Sequence, residues 1–163
     1  MNFSNTQKIG IASLLFVFNF LCFTADAQWK KNFYVDDFGD KTDNSYESLS
    51  AEGTFTNSAT QNSKATYTFV KDDKSVLVNV YEYGRNLATT IEHTFETVKI
   101  KQPSGSVVTI EEVFFTKGGK LYFSEKTYTE LLETIKDSGK YTMIFDRSGK
   151  YSSSNYKVIF TIN

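Results

Sequence analysis

GTFTNSATQNSKATYTFVKDDKSVLVNVYEYG, running from Gly53 to Gly84, alternates between apolar and polar residues twice over. Ala65, Tyr67 and Phe69 are separated by Thr66 and Thr68, and Val76, Val78 and Val80 by Leu77 and Asn79. A period of two places successive side chains on opposite faces of an extended strand, so each run can bury one face and expose the other. Between the runs, Lys71-Asp72-Asp73-Lys74 has the composition of a hairpin turn, and Gly84 closes the second run. With Gly53-Thr54-Phe55 leading in, the stretch predicts three consecutive antiparallel strands.

The pattern continues on both sides. Trp29–Phe38 predicts a first strand ending in Asp36-Asp37, followed by an acidic, turn-rich loop, DDFGDKTDNSYES. Downstream, Phe95, Val98 and Ile100 mark a further strand that runs into the turn Gln102-Pro103-Ser104-Gly105. Val107–Phe115 and Lys120–Phe123 form a hairpin across Lys117-Gly118-Gly119, where glycines supply the backbone angles of a tight turn. Tyr141, Met143 and Phe145, then Tyr156, Val158, Phe160 and Ile162, give two final alternating strands.

One segment changes period. Tyr128, Leu131, Leu132 and Ile135 fall at i, i+3, i+4 and i+7, one face of a helix. Thr127 and Glu130 have the spacing of a capping box, and Gly139 is a plausible stop. Eight or nine short strands with regular turns and one short helix make an all-β chain, read as an antiparallel β-sandwich with a β-barrel as the alternative. The helix is expected to cover one edge or end of it.

At the N-terminus, Lys8 precedes an apolar run, Ile9–Phe23, and Ala25-Asp26-Ala27 supplies the small residues of a cleavage site. This predicts a secretory signal peptide over residues 1–27. The run is about 15 residues, short of the roughly 20 that a spanning helix requires, so no membrane span is expected after cleavage. Cys22, the sole cysteine, is preceded by Leu21, a poor residue for lipid attachment. The mature chain, 28–163, is therefore one domain, secreted or periplasmic, with no cysteine for a disulfide, a thiol nucleophile or zinc.

The net charge of −1 and the small basic pair Lys30-Lys31 offer nucleic acid nothing. His93 is the only histidine, which excludes a histidine-rich metal site, and no G-x-S-x-G elbow presents a serine to it. Asp36, Asp37, Asp40 and Asp43 form an oxygen-rich loop that could hold calcium, although the spacing departs from that of an EF-hand. The plainer reading of those carboxylates is a solvated acidic turn, and no other cofactor is expected. Tyr81 and Tyr83 share a strand face and offer a stacking platform for a sugar, a peptide or a protein surface. Against that, tyrosine readily buries its ring and leaves only the hydroxyl to a polar partner. The loop from Asn57 to Ser63, with Asn57 and Asn62, is rich in side chains that bond local backbone and is a second candidate for ligand contact.

Trp29, Tyr34-Val35-Asp36, Asp37-Phe38-Gly39-Asp40, Thr42 and Tyr46, followed by Gly53-x-Phe55-x-Asn57-Ser58-Ala59-Thr60-x-Asn62-Ser63 and Tyr81-Glu82-Tyr83-Gly84, resemble a family of secreted or periplasmic β-rich domains recurrent in Bacteroidota. The resemblance covers Trp29 to about Gly84 and implies compartment and fold; the family hands over no catalytic residue. The function expected is a non-enzymatic binding module of the cell envelope, with an envelope protein or glycan as partner. One alternative is a glycan hydrolase using paired carboxylates among Glu82, Glu111 and Glu112, although adjacent Glu111 and Glu112 should point to opposite faces of a strand. Another is a structural subunit that pairs through an exposed strand edge.

Overall fold

A computed structural model describes residues 29–82, 86–88, 93–148 and 153–163. The signal segment 1–27, Tyr83 and Gly84 lie outside the described residues. The elements are β1 (Lys30–Val35), β2 (Lys41–Thr56), β3 (Ser63–Asp72), β4 (Ser75–Asn79), β5 (Thr94–Lys101), β6 (Val107–Phe115), β7 (Lys120–Phe123), α1 (Tyr128–Thr134), β8 (Gly139–Ser148) and β9 (Ser153–Ile162).

All neighbouring strands are antiparallel. Eight of them close a ring in the order β2-β3-β4-β7-β6-β5-β8-β9, with β9 returning to β2. The fold is thus the barrel alternative and not the expected sandwich. Alternation and turn spacing are common to both, and what decides between them is one non-local pairing. Strand β2, 16 residues long, pairs with β1 through its first half and with β9 through Glu52–Thr56.

The first half of β2 corrects a second expectation. Lys41–Ser48 was expected as loop because it is polar, yet it is strand. It pairs with β1 at Lys41 and Ser45–Ser48, and at Glu47 and Ser48 with β3 as well, so ladder bonds hold the segment without a continuous apolar face.

The barrel interior is filled by side chains, as eight strands permit. Phe55, Tyr67, Phe69, Phe115, Tyr141 and Phe160 are all essentially inaccessible. Two directly opposed pairs between β8 and β9 stack: Tyr141 on Phe160 at 5.4 Å and Phe145 on Tyr156 at 5.0 Å. Pairs of this kind add about 0.5–1.5 kcal/mol beyond the area they bury.

Helix α1 follows β7 and lies at the end of the barrel that carries the β3–β4 and β5–β6 turns. Leu131 and Ile135 enter the core, and the Gln102 side chain donates to the Thr134 carbonyl at 2.9 Å. The expected capping box is absent: the Thr127 side chain makes no cap bond, and its Oγ1 instead faces the Ser124 carbonyl at 3.4 Å. The opposite end carries the β2–β3, β4–β5, β6–β7 and β8–β9 connections.

Two register details matter for the site. In β5, the strand expected from Phe95, Val98 and Ile100, the inward set is Glu96, Val98 and Ile100, so Phe95 is 72 % exposed and Glu96 is buried. In β6 a bulge opposite β5 leaves Glu111 and Glu112 both exposed, not on opposite faces, with Glu112 at φ 58°.

Candidate functional site

The end of the barrel away from α1 holds a charged cluster. Glu82 follows β4, Glu96 lies near the start of β5, Arg147 near the end of β8 and Tyr156 near the start of β9. Arg147 occupies the inward position two residues after Phe145, and Glu96 the one two residues before Val98, so both charges sit where their strands otherwise bury apolar groups.

Hydrogen bonds join Glu82, Arg147 and Tyr156, while Glu96 is linked to them only through the charge of Arg147. Tyr156 donates its hydroxyl to Glu82 Oε1 at 2.9 Å, and Arg147 Nη1 donates to the same oxygen at 3.1 Å and to the Tyr156 hydroxyl at 3.3 Å. The guanidinium also lies 5.6 Å from the centre of the Phe115 ring, within cation–π range. Glu96 Oε1 accepts from the Thr94 hydroxyl at 2.5 Å.

Burial shapes the acidities. Tyr156 is 1 % exposed, and burial, together with the Glu82 carboxylate, pushes its hydroxyl up to about 12. Burial also raises Glu96, against the Thr94 hydrogen bond and the Arg147 charge, while Asp146 adds to the rise. A carboxylate withdrawn from water resists ionisation. Two carboxyl groups, Glu82 and Glu96, and one arginine thus lie at this end with Glu96 withdrawn from water, while Asp146 lies exposed on β8 and accepts from Asn155.

Comparison with protein-family models, curated proteins and solved structures returns no match.

Among the described residues, those singled out in the sequence fall elsewhere or serve the fold, and Tyr83 lies outside the described residues. Tyr81 packs its ring against Phe55 and Tyr67 and donates its hydroxyl to the Thr66 carbonyl at 2.9 Å. Asn57 Oδ1 accepts from the backbone N–H of Ala59 and Thr60, and Asn62, at φ 51°, donates its own N–H to Thr56 Oγ1. Both asparagines thereby shape the β2–β3 loop. Asp36 Oδ1 accepts from the N–H of Phe38 and Asp40, each at 2.9 Å, which folds the β1–β2 turn that also holds Asp37. Asp43 lies on β2, exposed. Among the described residues, no group of three or more His, Cys, Asp or Glu side chains is placed to hold a metal ion.

Of the carboxylates considered for hydrolysis, only Glu82 belongs to the cluster. Glu112 pairs with Lys126 on the surface at 2.8 Å. His93 stacks on Phe114 at 4.8 Å and accepts the Lys117 N–H through Nδ1 at 3.3 Å. No helix among the described residues is long and apolar enough to cross a membrane.

Proposed function

We propose that the chain is an exported, non-enzymatic binding module of the cell envelope whose ligand meets the barrel end carrying Glu82, Glu96, Arg147 and Tyr156. The observation that carries the reading is the asymmetry of the two ends. One is covered by α1 with Leu131 and Ile135 in the core, and the other carries a partly buried charged network. Burying charge costs stability unless the groups are paired, and strongly perturbed groups cluster at functional sites. Export rests on the N-terminal pattern of Lys8, Ile9–Phe23 and Ala25-Asp26-Ala27, and on the resemblance of Trp29–Gly84 to secreted or periplasmic domains.

The test is thermal unfolding of the processed chain, Gln28 onward, against soluble envelope glycans, calcium and buffer alone. A ligand at a hundred times its dissociation constant adds about 2.7 kcal/mol to stability. A glycan-induced shift lost in Arg147→Ala supports the assignment, and a shift that survives Arg147→Ala places the site elsewhere. A calcium shift lost in Asp37→Asn or Asp40→Asn would move it to the acidic turn. N-terminal sequencing of the exported chain should begin at Gln28, and an intact residue 1 would remove the export reading.

A second reading, a glycan-acting hydrolase, draws on one observation: Glu82 is held by two donors, while Glu96 is buried with its acidity weakened. Carboxyl pairs in unlike environments divide the acid and base roles in glycosidases. Release of reducing sugar that disappears in Glu96→Gln would favour it over simple binding.

A further inference from the structure

Strand β1 is an edge. Among the described residues it pairs with β2 alone, and an unpaired edge presents N–H and C=O groups that another strand can satisfy. The segment is exposed and partly apolar, with Val35 at 64 % and Phe38 at 92 %. Lys30, Lys31 and Asp37 take part in no ion pair among the described residues. Asp36 uses Oδ1 within its own turn, which leaves its second oxygen to outside partners.

The order of charge along this edge is the informative feature. Lys30-Lys31-Asn32-Phe33-Tyr34-Val35-Asp36-Asp37 is positive at one end, negative at the other and uncharged between. Such a strand is complementary to itself when reversed. A parallel partner of the same sequence would instead set lysine against lysine and aspartate against aspartate, which is destabilising.

We propose that β1 is a self-association edge through which two copies of the chain pair antiparallel about a two-fold axis at Phe33. Symmetry restricts the register, because an isologous antiparallel pair must place one residue opposite its own copy. Centred on Phe33, the pairing sets Asn32 across from Tyr34, Lys31 across from Val35 and Lys30 across from Asp36. Centred on Tyr34, it would instead set Lys31 across from Asp37, two residues beyond the end of the strand at Val35, whereas Asp36 is the residue that directly follows the strand. The first register keeps its opposite-charge pair, Lys30 with Asp36, closest to the strand and brings two aromatic rings together at the dyad. The two β2–β1 ribbons then form one continuous sheet, and the ligand ends stay free.

Sedimentation equilibrium of the processed chain, which contains every strand of the barrel, should give the mass of two chains. Lys30→Glu/Lys31→Glu should give the mass of one, with the folded β-sheet spectrum kept because both lysines are exposed, and with an unfolding midpoint that no longer rises with protein concentration. Cysteine scanning supplies a readout independent of that variant. Opposed residues in an antiparallel pair lie about 4.5–5.5 Å apart at Cα, within disulfide range. Mild oxidation should therefore link Phe33→Cys into dimers, while Tyr34→Cys, opposite Asn32, links poorly. A single-chain mass at the highest soluble concentration overturns the proposal, as does equal linking at both positions.

Discussion

Gly53 of β2 sits against Ile159 of β9 so closely that a Cβ built on it would overlap the Ile159 carbonyl oxygen. Gly53 pairs directly with Phe160, so the contact lies on the seam that closes the barrel. Backbone meets backbone here, and no rotamer change can relieve a clash. Gly53→Ala is expected to destabilise the chain by about 1–3 kcal/mol or more, the cost of overpacking. Gly118→Ala, whose nearest contact would be Thr116 Oγ1 at 3.9 Å, should stay within about 0.5 kcal/mol. Urea unfolding of the two variants checks the difference.

Helix α1 divides two adjacent leucines. Leu131 is fully buried, and Leu132 is only partly so. Leu131→Ala should cost about 2–5 kcal/mol and Leu132→Ala less than about 1 kcal/mol. Equal losses at both positions would show that the helix is rotated or lies loose on the barrel.

The alternation that identified the strands is local, and so is the i, i+4 spacing that identified α1. Closure is not local: Gly53 meets Phe160 across more than half the chain, and nothing in either residue announces the other. Lys41–Ser48 lacked the alternation because it belongs to a solvated ribbon with β1, held by backbone pairing and not by a buried face. The cluster is scattered in the same way, with Glu82 and Arg147 65 residues apart and Glu82 and Tyr156 74 apart. A signal did exist in the phase of the strands. Glu96 stands in register with Val98 and Ile100, and Arg147 in register with Met143 and Phe145, each a charge on the apolar face of its strand.

Tyr156 makes the barrel sensitive to alkali. Its folded-state pKa of about 12 lies above the value near 10 of an unfolded tyrosine. Between those values the unfolded chain has lost the proton while the folded chain keeps it, so stability falls as pH rises through this window and is fully present below pH 10. Burial raises Tyr67 and Tyr141 in the same direction. Melting midpoints should decline from pH 10 to 12, and Tyr156→Phe should reduce the slope without abolishing it. An unchanged slope in Tyr156→Phe would mean that the hydroxyl is solvated.

Glu96 acts at the acid end. Its folded-state pKa is raised, mainly by burial, so the folded chain binds this proton more tightly than the unfolded one. Stability attributable to this group is greatest below the ordinary carboxylate pKa and declines as pH rises through the raised value. Glu96→Gln, which keeps the shape and removes the titration, should flatten this part of the stability–pH curve while Glu111→Gln leaves it unchanged. The same slope in both variants would place the titration elsewhere.

Closure of β9 on β2 is the feature on which the barrel, its two unlike ends and the meeting of Glu82 with Arg147 and Tyr156 all depend. Nuclear Overhauser contacts across the seam of the processed chain test it most directly. A closed barrel requires backbone contacts between Gly53 and Phe160 and between Phe55 and Val158, alongside those of β9 with β8. Contacts of β9 with β8 alone would mean an open sheet, and the charged cluster would lose the frame that assembles it.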